Sequence, residues 1–107
     1  MSKKLKLKIV TPERLIFEGD ADQVTFPTTK GELTILPDNI PLIAALALGD
    51  IVATIGGEHM PWVVTSGSAE VKKDEHGQTT VAILADFAEH VSDISDDAVE
   101  KAKARAG

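Results

Sequence analysis

The chain has 107 residues, no cysteine, 11 basic and 17 acidic side chains, and a formal net charge of −6 at pH 7. This length indicates one domain with its own core, and the absence of cysteine excludes disulfides and thiolate metal sites. The negative charge argues against partners such as nucleic acid or anionic lipid, which are bound largely through Lys and Arg. No apolar run reaches the ~18 residues that span a bilayer. The N-terminal residues lack the apolar stretch of a signal peptide, so we expect a cytosolic chain.

The first half of the chain predicts a series of short strands. From Leu5 to Ile9, aliphatic residues alternate with lysines, which indicates a half-buried strand with a solvated face. We interpret the lysines as protecting an edge strand rather than as a phosphate-binding stripe. Pro12 ends this strand, a second is predicted over residues 14–18, and Gly19-Asp20 is predicted to turn the chain into a third over residues 23–26.

The second half continues the same pattern. Leu42–Leu48 has a composition that suits a helix, yet its seven residues lie between a proline and a glycine, which favours a buried strand. Gly56-Gly57 is typical of a two-residue hairpin, and residues 74–77 are predicted to form another hairpin loop. Further strands are predicted over residues 51–55, 59–66, 69–72 and 79–84. Short strands at regular spacing predict an antiparallel sandwich or barrel.

The residues that could carry chemistry do not form a catalytic set. His59, His76 and His90 lie on different segments and share no metal-binding spacing. Residues 93–104 begin like a calcium-binding EF-hand loop but lack its glycine and its final glutamate. Ser66 is not part of a nucleophile elbow. We therefore expect no enzyme activity, no cofactor and no bound metal.

The composition changes near residue 92. Ser95 is a good N-cap, acidic residues fill the first turn and basic residues the last, and Asp97 can pair with Lys101. These features predict a short C-terminal helix. The sequence therefore divides into a β-sandwich domain at residues 1–91 and the start of a helical segment at residues 92–107.

Residues 31–42 contain the most distinctive motif. Pro37 and Pro41 enclose the turn-forming pair Asp38-Asn39, and this combination favours a loop of fixed shape. The stretch resembles the epsilon subunit of F-type ATP synthases (delta in mitochondria), whose pattern there is roughly G-E-[LM]-G-I-x-P-G-H-A-P-L. Further matches follow in the same order over almost the whole chain: Ile9-Val10-Thr11-Pro12-Glu13, Phe17-Glu18-Gly19, Val24, Ser66-Gly67, Glu70-Val71, Val81 to Asp86, and Ala88-Glu89.

This resemblance implies a mainly β fold: a flattened antiparallel sandwich of about ten strands followed by a short C-terminal helix. It also implies a non-catalytic central-stalk subunit that couples the gamma subunit to the membrane c-ring of a proton- or sodium-translocating ATP synthase. Such a subunit is peripheral, at the cytoplasmic face of the cell membrane, without direct membrane insertion and without nucleic acid. By position, the resemblance assigns contacts with gamma and the c-ring loops to Gly31, Glu32, Pro37, Asp38, Asn39 and, on the gamma-facing side, Thr11.

The sequence departs from the family pattern at two places. Asp38-Asn39-Ile40 replaces Gly-His-Ala, and Thr34 replaces a glycine, so contacts through the family's histidine are not carried over. The ATP-binding motif I/L-D-x-x-R-A of some bacterial members aligns with Ile94–Val99, where Ser95 replaces the aspartate and Ala98 replaces the arginine that would meet phosphate. We therefore expect weak or absent inhibition and nucleotide sensing.

Two functions of other classes remain as alternatives. A free-standing sandwich could bind a small ligand such as a sugar, which would favour aromatic residues lining a cleft; aromatic residues are only 4% of the chain and tyrosine is absent. A regulatory nucleotide sensor is the other alternative, and the two substitutions in the ATP-binding motif argue against it.

Overall fold

The computed structural model describes residues 3–91, and every regular element in this range is a β-strand. The mainly β fold expected from the alternating pattern is confirmed. The predicted helix over residues 92–107 lies outside the described residues. The strands are β1 (Leu5–Val10), β2 (Leu15–Ala21), β3 (Gln23–Thr28), β4 (Gly31–Ile35), β5 (Leu42–Leu46), β6 (Gly49–Ile55), β7 (Glu58–Val64), β8 (Gly67–Lys73), β9 (Thr79–Ala85) and β10 (Ala88–His90).

The strands form two layers that are joined through β3. Hydrogen bonding runs in the order β10-β7-β6-β3-β5-β8-β9-β1-β2, and β4 pairs with β3. On β3, residues 23–25 pair with β6 while Thr28 pairs with β5. The ring of Phe17 on β2 lies 5.0 Å from the ring of Trp62 on β7. The layer β4-β3-β6-β7-β10 therefore packs on the layer β5-β8-β9-β1-β2.

The space between the layers is filled by the alternating apolar side chains. Leu5, Leu7 and Ile9 have no exposed surface, and Trp62 is 2% exposed. Each large apolar side chain buried in this way contributes about 1.5 to 3 kcal/mol relative to exposure. The largest fully buried side chains are Trp62, Phe26, Leu5, Leu7, Ile9, Ile35, Ile51, Ile83, Val24, Val64, Val71 and Val81. The two layers thus form one continuous core.

The interpretation of β1 as an edge strand is wrong. It pairs with β2 on one side and with β9 on the other, and the pairing with β9 is parallel. The sandwich is therefore antiparallel except at this one pair among the described strands. The lysines alternate with core residues because one face of the layer meets water, and this pattern is the same for central and edge strands.

Two other local expectations are corrected. β5 is a strand as predicted, but it is not buried on both faces, because Ile43 is 75% exposed while Leu46 is 3% exposed. β2 continues through the Gly19-Asp20 pair, which was predicted to be a turn, and the break before β3 is at Asp22.

Both predicted hairpins are confirmed. Ile55 pairs with Glu58 across Gly56-Gly57, whose φ angles of 60° and 83° require the left-handed backbone that glycine adopts without strain. In the loop after β8, the Asp74 carboxylate accepts hydrogen bonds from the backbone N–H groups of His76 (2.8 Å) and Gln78 (3.0 Å). These contacts hold the pKa of Asp74 below its usual value, chiefly through the bond from Gln78.

Candidate functional site

The six candidate contact residues lie at opposite ends of the sandwich. One end carries Gly31, Glu32 and Thr11. Thr28 pairs there with both Gly31 and Leu46, and Val10, the neighbour of Thr11, pairs with Leu84 at the same end of the strands. We call this the Glu32 end. The loop with Pro37, Asp38 and Asn39 lies at the other end, beside the beginnings of β1 and β9. We call this the Asp38 end. Strand β4 connects the two over a distance of about 13 to 17 Å.

Asp38 is held by contacts from three other segments. Its carboxylate lies 2.6 Å from the ammonium of Lys3 and 3.9 Å from that of Lys73, and its backbone N–H donates to the hydroxyl of Thr79 at 2.8 Å. The hydrogen bond from Lys3 is the main cause that lowers the pKa of Asp38. This residue therefore stays ionised and fixed at the start of β1 and β9.

The backbone of Asp38 is also unusual. Its φ of 68° lies in the left-handed region, and it is the one non-glycine residue with positive φ between residues 3 and 91. Aspartate and asparagine tolerate this region better than most residues. The family pattern has a glycine at this position. Glycine and aspartate both tolerate a positive φ, so the backbone shape of the loop explains why either residue can stand here.

Asn39 and Pro37 complete the loop. The backbone N–H of Asn39 donates to the carbonyl of Leu36 at 3.1 Å, and its side-chain amide donates to the carbonyl of Ile40 at 3.1 Å. Asn39 stands where the family pattern has a histidine, and its side-chain amide is used within the turn. Pro37 lines an open depression together with Asp38, Lys3, Lys4, Asp22, Leu36 and Gly56-Gly57.

Asp22 forms the second ionic contact in this depression. Its carboxylate accepts from Lys4 and from the backbone N–H of Gly57, the latter at 3.4 Å. The bond from Lys4 is the largest cause that lowers the pKa of Asp22. Asp22 is not among the candidate residues that the sequence indicates. Its partners lie 18 and 35 residues away in the chain, so no local pattern could indicate them.

The Glu32 end is a tight hairpin. Gly31 has a φ of 115°, and its carbonyl accepts a hydrogen bond from the Thr28 hydroxyl at 2.6 Å. The same hydroxyl accepts from the N–H of Lys30 at 3.1 Å. Glu32 lies opposite Pro27 and is exposed to solvent. The hairpin thus presents one free carboxylate on a backbone fixed by its own hydrogen bonds.

Thr11 closes the turn between β1 and β2. Its N–H donates to the carbonyl of Arg14 at 3.0 Å, and its hydroxyl accepts from the N–H of Arg14 at 3.3 Å. The guanidinium of Arg14 lies 2.8 Å from the carboxylate of Glu89, in β10. Thr11 therefore stabilises this turn through hydrogen bonds with Arg14, and these bonds also position the arginine.

Residues 3–91 contain neither a candidate metal-binding cluster nor a candidate membrane-spanning helix. The His, Asp and Glu residues there form no group of three that could hold a metal ion. The same residues contain no helix that is long and apolar enough to cross a membrane.

The comparisons with known proteins identify the family. The family model described as "ATP synthase, Delta/Epsilon chain, beta-sandwich domain" matches residues 4–91. The chain belongs to this family. The delta/epsilon family model covers nearly all of the residues described, and it agrees with the two-layer fold. The resemblance drawn from the motif at residues 31–42 is confirmed.

Curated relatives of the delta/epsilon family agree with this assignment. An ATP synthase epsilon chain of Dehalococcoides mccartyi is 43% identical over 103 residues, which cover 96% of this chain and 70% of the relative. An ATP synthase epsilon chain of Nitratidesulfovibrio vulgaris is 39% identical over 106 residues, covering 99% and 75%.

Solved structures show the same fold in members of ATP synthase complexes. A chain in the OSCP/F1/c-ring structure of the Euglena gracilis mitochondrial ATP synthase superposes with a TM-score of 0.75 at 23% identity; the match covers 96% of this chain and 64% of that one. A chain in the central stalk/c-ring structure from Tetrahymena thermophila superposes with a TM-score of 0.68 at 16% identity, covering 98% and 91%.

Proposed function

We propose that this chain is a non-catalytic rotor subunit that connects the gamma subunit of an F-type ATP synthase to the polar loops of the membrane c-ring. In this role it is a peripheral subunit at the cytoplasmic face of the cell membrane. Gly31, Glu32 and Thr11 contribute contacts at one end, and Pro37, Asp38 and Asn39 contribute them at the other. Family membership supports the assembly, and the placement of these residues supports the mechanical role.

The observation that carries the proposal is the separation of the two candidate surfaces on one stiff body. A subunit that passes torque between two partners needs contact surfaces that do not move relative to each other. Here the two surfaces are connected by β4, whose inward residue Ile35 has no exposed surface. Close-packed interiors have low compressibility. A force applied at the Glu32 end therefore reaches the Asp38 end with little deformation.

The packed interior disfavours the ligand-binding alternative. Phe26 and Trp62 are buried between the layers and Phe17 packs against them, whereas the fourth aromatic ring, Phe87, is half-buried at the Glu32 end, outside the space between the sheets. A sugar site between the sheets would need these rings to face an accessible space. The nucleotide-sensor alternative depends on residues 94–99, which lie outside the described residues.

Binding to the two partners tests the proposal. The full chain should be retained by immobilised gamma subunit and by purified c-ring in detergent. Glu32→Lys should reduce retention by at least one of these partners, because it reverses the exposed carboxylate charge of the hairpin. Glu18→Lys, the same change at an exposed position within β2, is the matched control and should leave retention unchanged.

Three results would contradict the proposal. The native chain could fail to bind either partner, or Glu32→Lys and Glu18→Lys could have equal effects on both. A tight complex of the native chain with a sugar or with ATP, formed in place of binding to gamma and the ring, would support the alternative functions instead.

A further inference from the structure

Strand β10 is the shortest of the described strands. It has three residues and pairs with β7 through Ala88–Val64, Glu89–Val63 and His90–Trp62. It is the last strand on one side of the hydrogen-bonded order, and β2 is the last on the other. Two side-chain contacts connect β10 with β2 and with the turn just before β2.

The first contact is the ion pair between Arg14 and Glu89, at 2.8 Å. The Arg14 side chain is 61% exposed and that of Glu89 is 27% exposed, so water and salt reach the pair. The second contact is a series of rings: Phe17 on β2, Trp62 on β7 and His90 on β10. The centroids of Phe17 and Trp62 are 5.0 Å apart, and those of Trp62 and His90 are 5.5 Å apart in an edge-to-face arrangement.

The residues just before β10 are fixed much more firmly. The Ser66 hydroxyl donates to the Asp86 carboxylate, and the backbone N–H of Asp86 donates to the carbonyl of Ser66 at 2.8 Å. The N–H of Thr65 also donates to the carbonyl of Phe87 at 3.2 Å. These bonds tie the chain to the β7–β8 connection up to residue 87. A movement of β10 would therefore pivot immediately after Phe87.

We propose that β10 is a releasable strand, closed by the Arg14–Glu89 ion pair and by the packing of His90 on Trp62, which detaches at residue 88 while the remaining nine strands stay folded. Release removes the neighbour of the β7 edge and uncovers the Trp62 ring. The inference does not depend on the proposed function.

The closing ion pair makes the equilibrium depend on salt. An exposed pair contributes modestly and is screened as ionic strength rises. Losing it should increase the population of the released form by about two- to fivefold. The ring packing remains in that case, so the strand is still closed most of the time. The population of the released form should therefore rise gradually with salt concentration rather than switch completely.

Amide exchange and tryptophan fluorescence test the inference in the full chain. Trp62 is the only tryptophan, so acrylamide quenching reports directly on the ring that β10 covers. Glu89→Gln should raise the exchange rates of the β10 amides about two- to fivefold and increase quenching of Trp62. The amides of Val81 and Ile83 in β9 should keep their native protection.

The matched control is Glu70→Gln, which removes the exposed ion pair with Lys72 (3.2 Å) on β8. It should change neither the β10 amides nor Trp62 quenching. Raising the salt concentration should speed exchange in the native chain and have no further effect in Glu89→Gln. If Glu89→Gln does not fold, as judged by thermal melting, Arg14→Gln removes the same pair from the other side.

The inference is overturned if the β10 amides exchange at the same rate as those of Val81 and Ile83 at every salt concentration, because β10 then opens only with the whole domain. It is also overturned if Glu89→Gln and Arg14→Gln fold and behave as Glu70→Gln does.

Discussion

Replacing Gly67 by alanine should severely destabilise the fold. Gly67 is the first residue of β8 and has a φ of 150°. A β-carbon built on it would lie 2.0 Å from the carbonyl oxygen of Leu84 and 2.8 Å from the α-carbon of Ala85. Both neighbours are backbone atoms of the paired strand, so no side chain can rotate away. Gly67→Ala must therefore separate β8 from β9 at the end of their ladder.

The size of the effect follows from two costs. Positive φ in a residue with a β-carbon costs about 1 to 2 kcal/mol, and forcing atoms into a packed region typically costs a further 1 to 3 kcal/mol. The expected loss for Gly67→Ala is about 2 to 5 kcal/mol. Because a domain of this kind has about 5 to 15 kcal/mol of stability in total, the variant should be marginal.

Gly77→Ala separates the two costs. Gly77 has a φ of 78°, and nothing lies within 4 Å of the added β-carbon. The stability of Gly77→Ala should therefore fall only by the conformational cost, about 1 to 2 kcal/mol. Urea unfolding followed by Trp62 fluorescence measures both variants, and equal losses in the two would refute the steric argument at Gly67.

Three other changes test separate parts of the structure. Asp38→Ala should be about 1 kcal/mol less stable in urea than Asp38→Gly, because both variants lose the ion pairs and only alanine carries a β-carbon at this φ of 68°; equal stabilities would contradict the left-handed backbone. The pKa of Asp22 is lower in the folded protein than in the unfolded chain. The ionised carboxylate therefore stabilises the fold at pH values above the unfolded pKa of about 4, and this contribution is lost as the pH falls through the folded pKa. Asp22→Asn should therefore make the acid-side fall in the urea midpoint shallower, and an unchanged slope would argue against the Lys4 contact. Ile83→Ala should cost about 2 to 5 kcal/mol, whereas Leu84→Ala, at a position 53% exposed, should cost less than about 0.5 kcal/mol in the same assay; similar losses would contradict the assigned faces of β9.

Strands and turns could be predicted from the sequence where a local pattern of residues determines the backbone conformation. Alternation identified β1 as a strand with one buried face, and Gly56-Gly57 identified the hairpin between β6 and β7. The parallel pairing of β1 with β9 was not predictable in this way, since Lys6 and its partner Thr80 are separated by most of the chain. Alternation determines which face is buried but not which strand lies beside it.

The candidate site was predictable only in part for the same reason. Two prolines and an Asp-Asn pair indicated a fixed loop, and the glycine in the family pattern marks the position where φ is positive. The ionic partners of Asp38 lie on segments that meet it only in the folded sandwich: Lys3 is 35 residues away along the chain, and Lys73 ends β8. Their contact depends on the packing of the strands, which the local sequence does not encode.

In the proposed rotor role, β4 must transmit force from the Glu32 end to the Asp38 end without deforming. β4 pairs with β3 along its whole length, from Gly31 opposite Thr28 to Ile35 opposite Val24. A pull at the Glu32 end therefore loads five residues of ladder in parallel before it reaches the Asp38 loop. At that loop, the load passes through Lys3 to the residues just before β1 and through Thr79 to β9. Stiffness in this body thus comes from hydrogen-bonded ladders joined by a buried core, and the ionic contacts at the Asp38 end fix the direction in which the loop is presented.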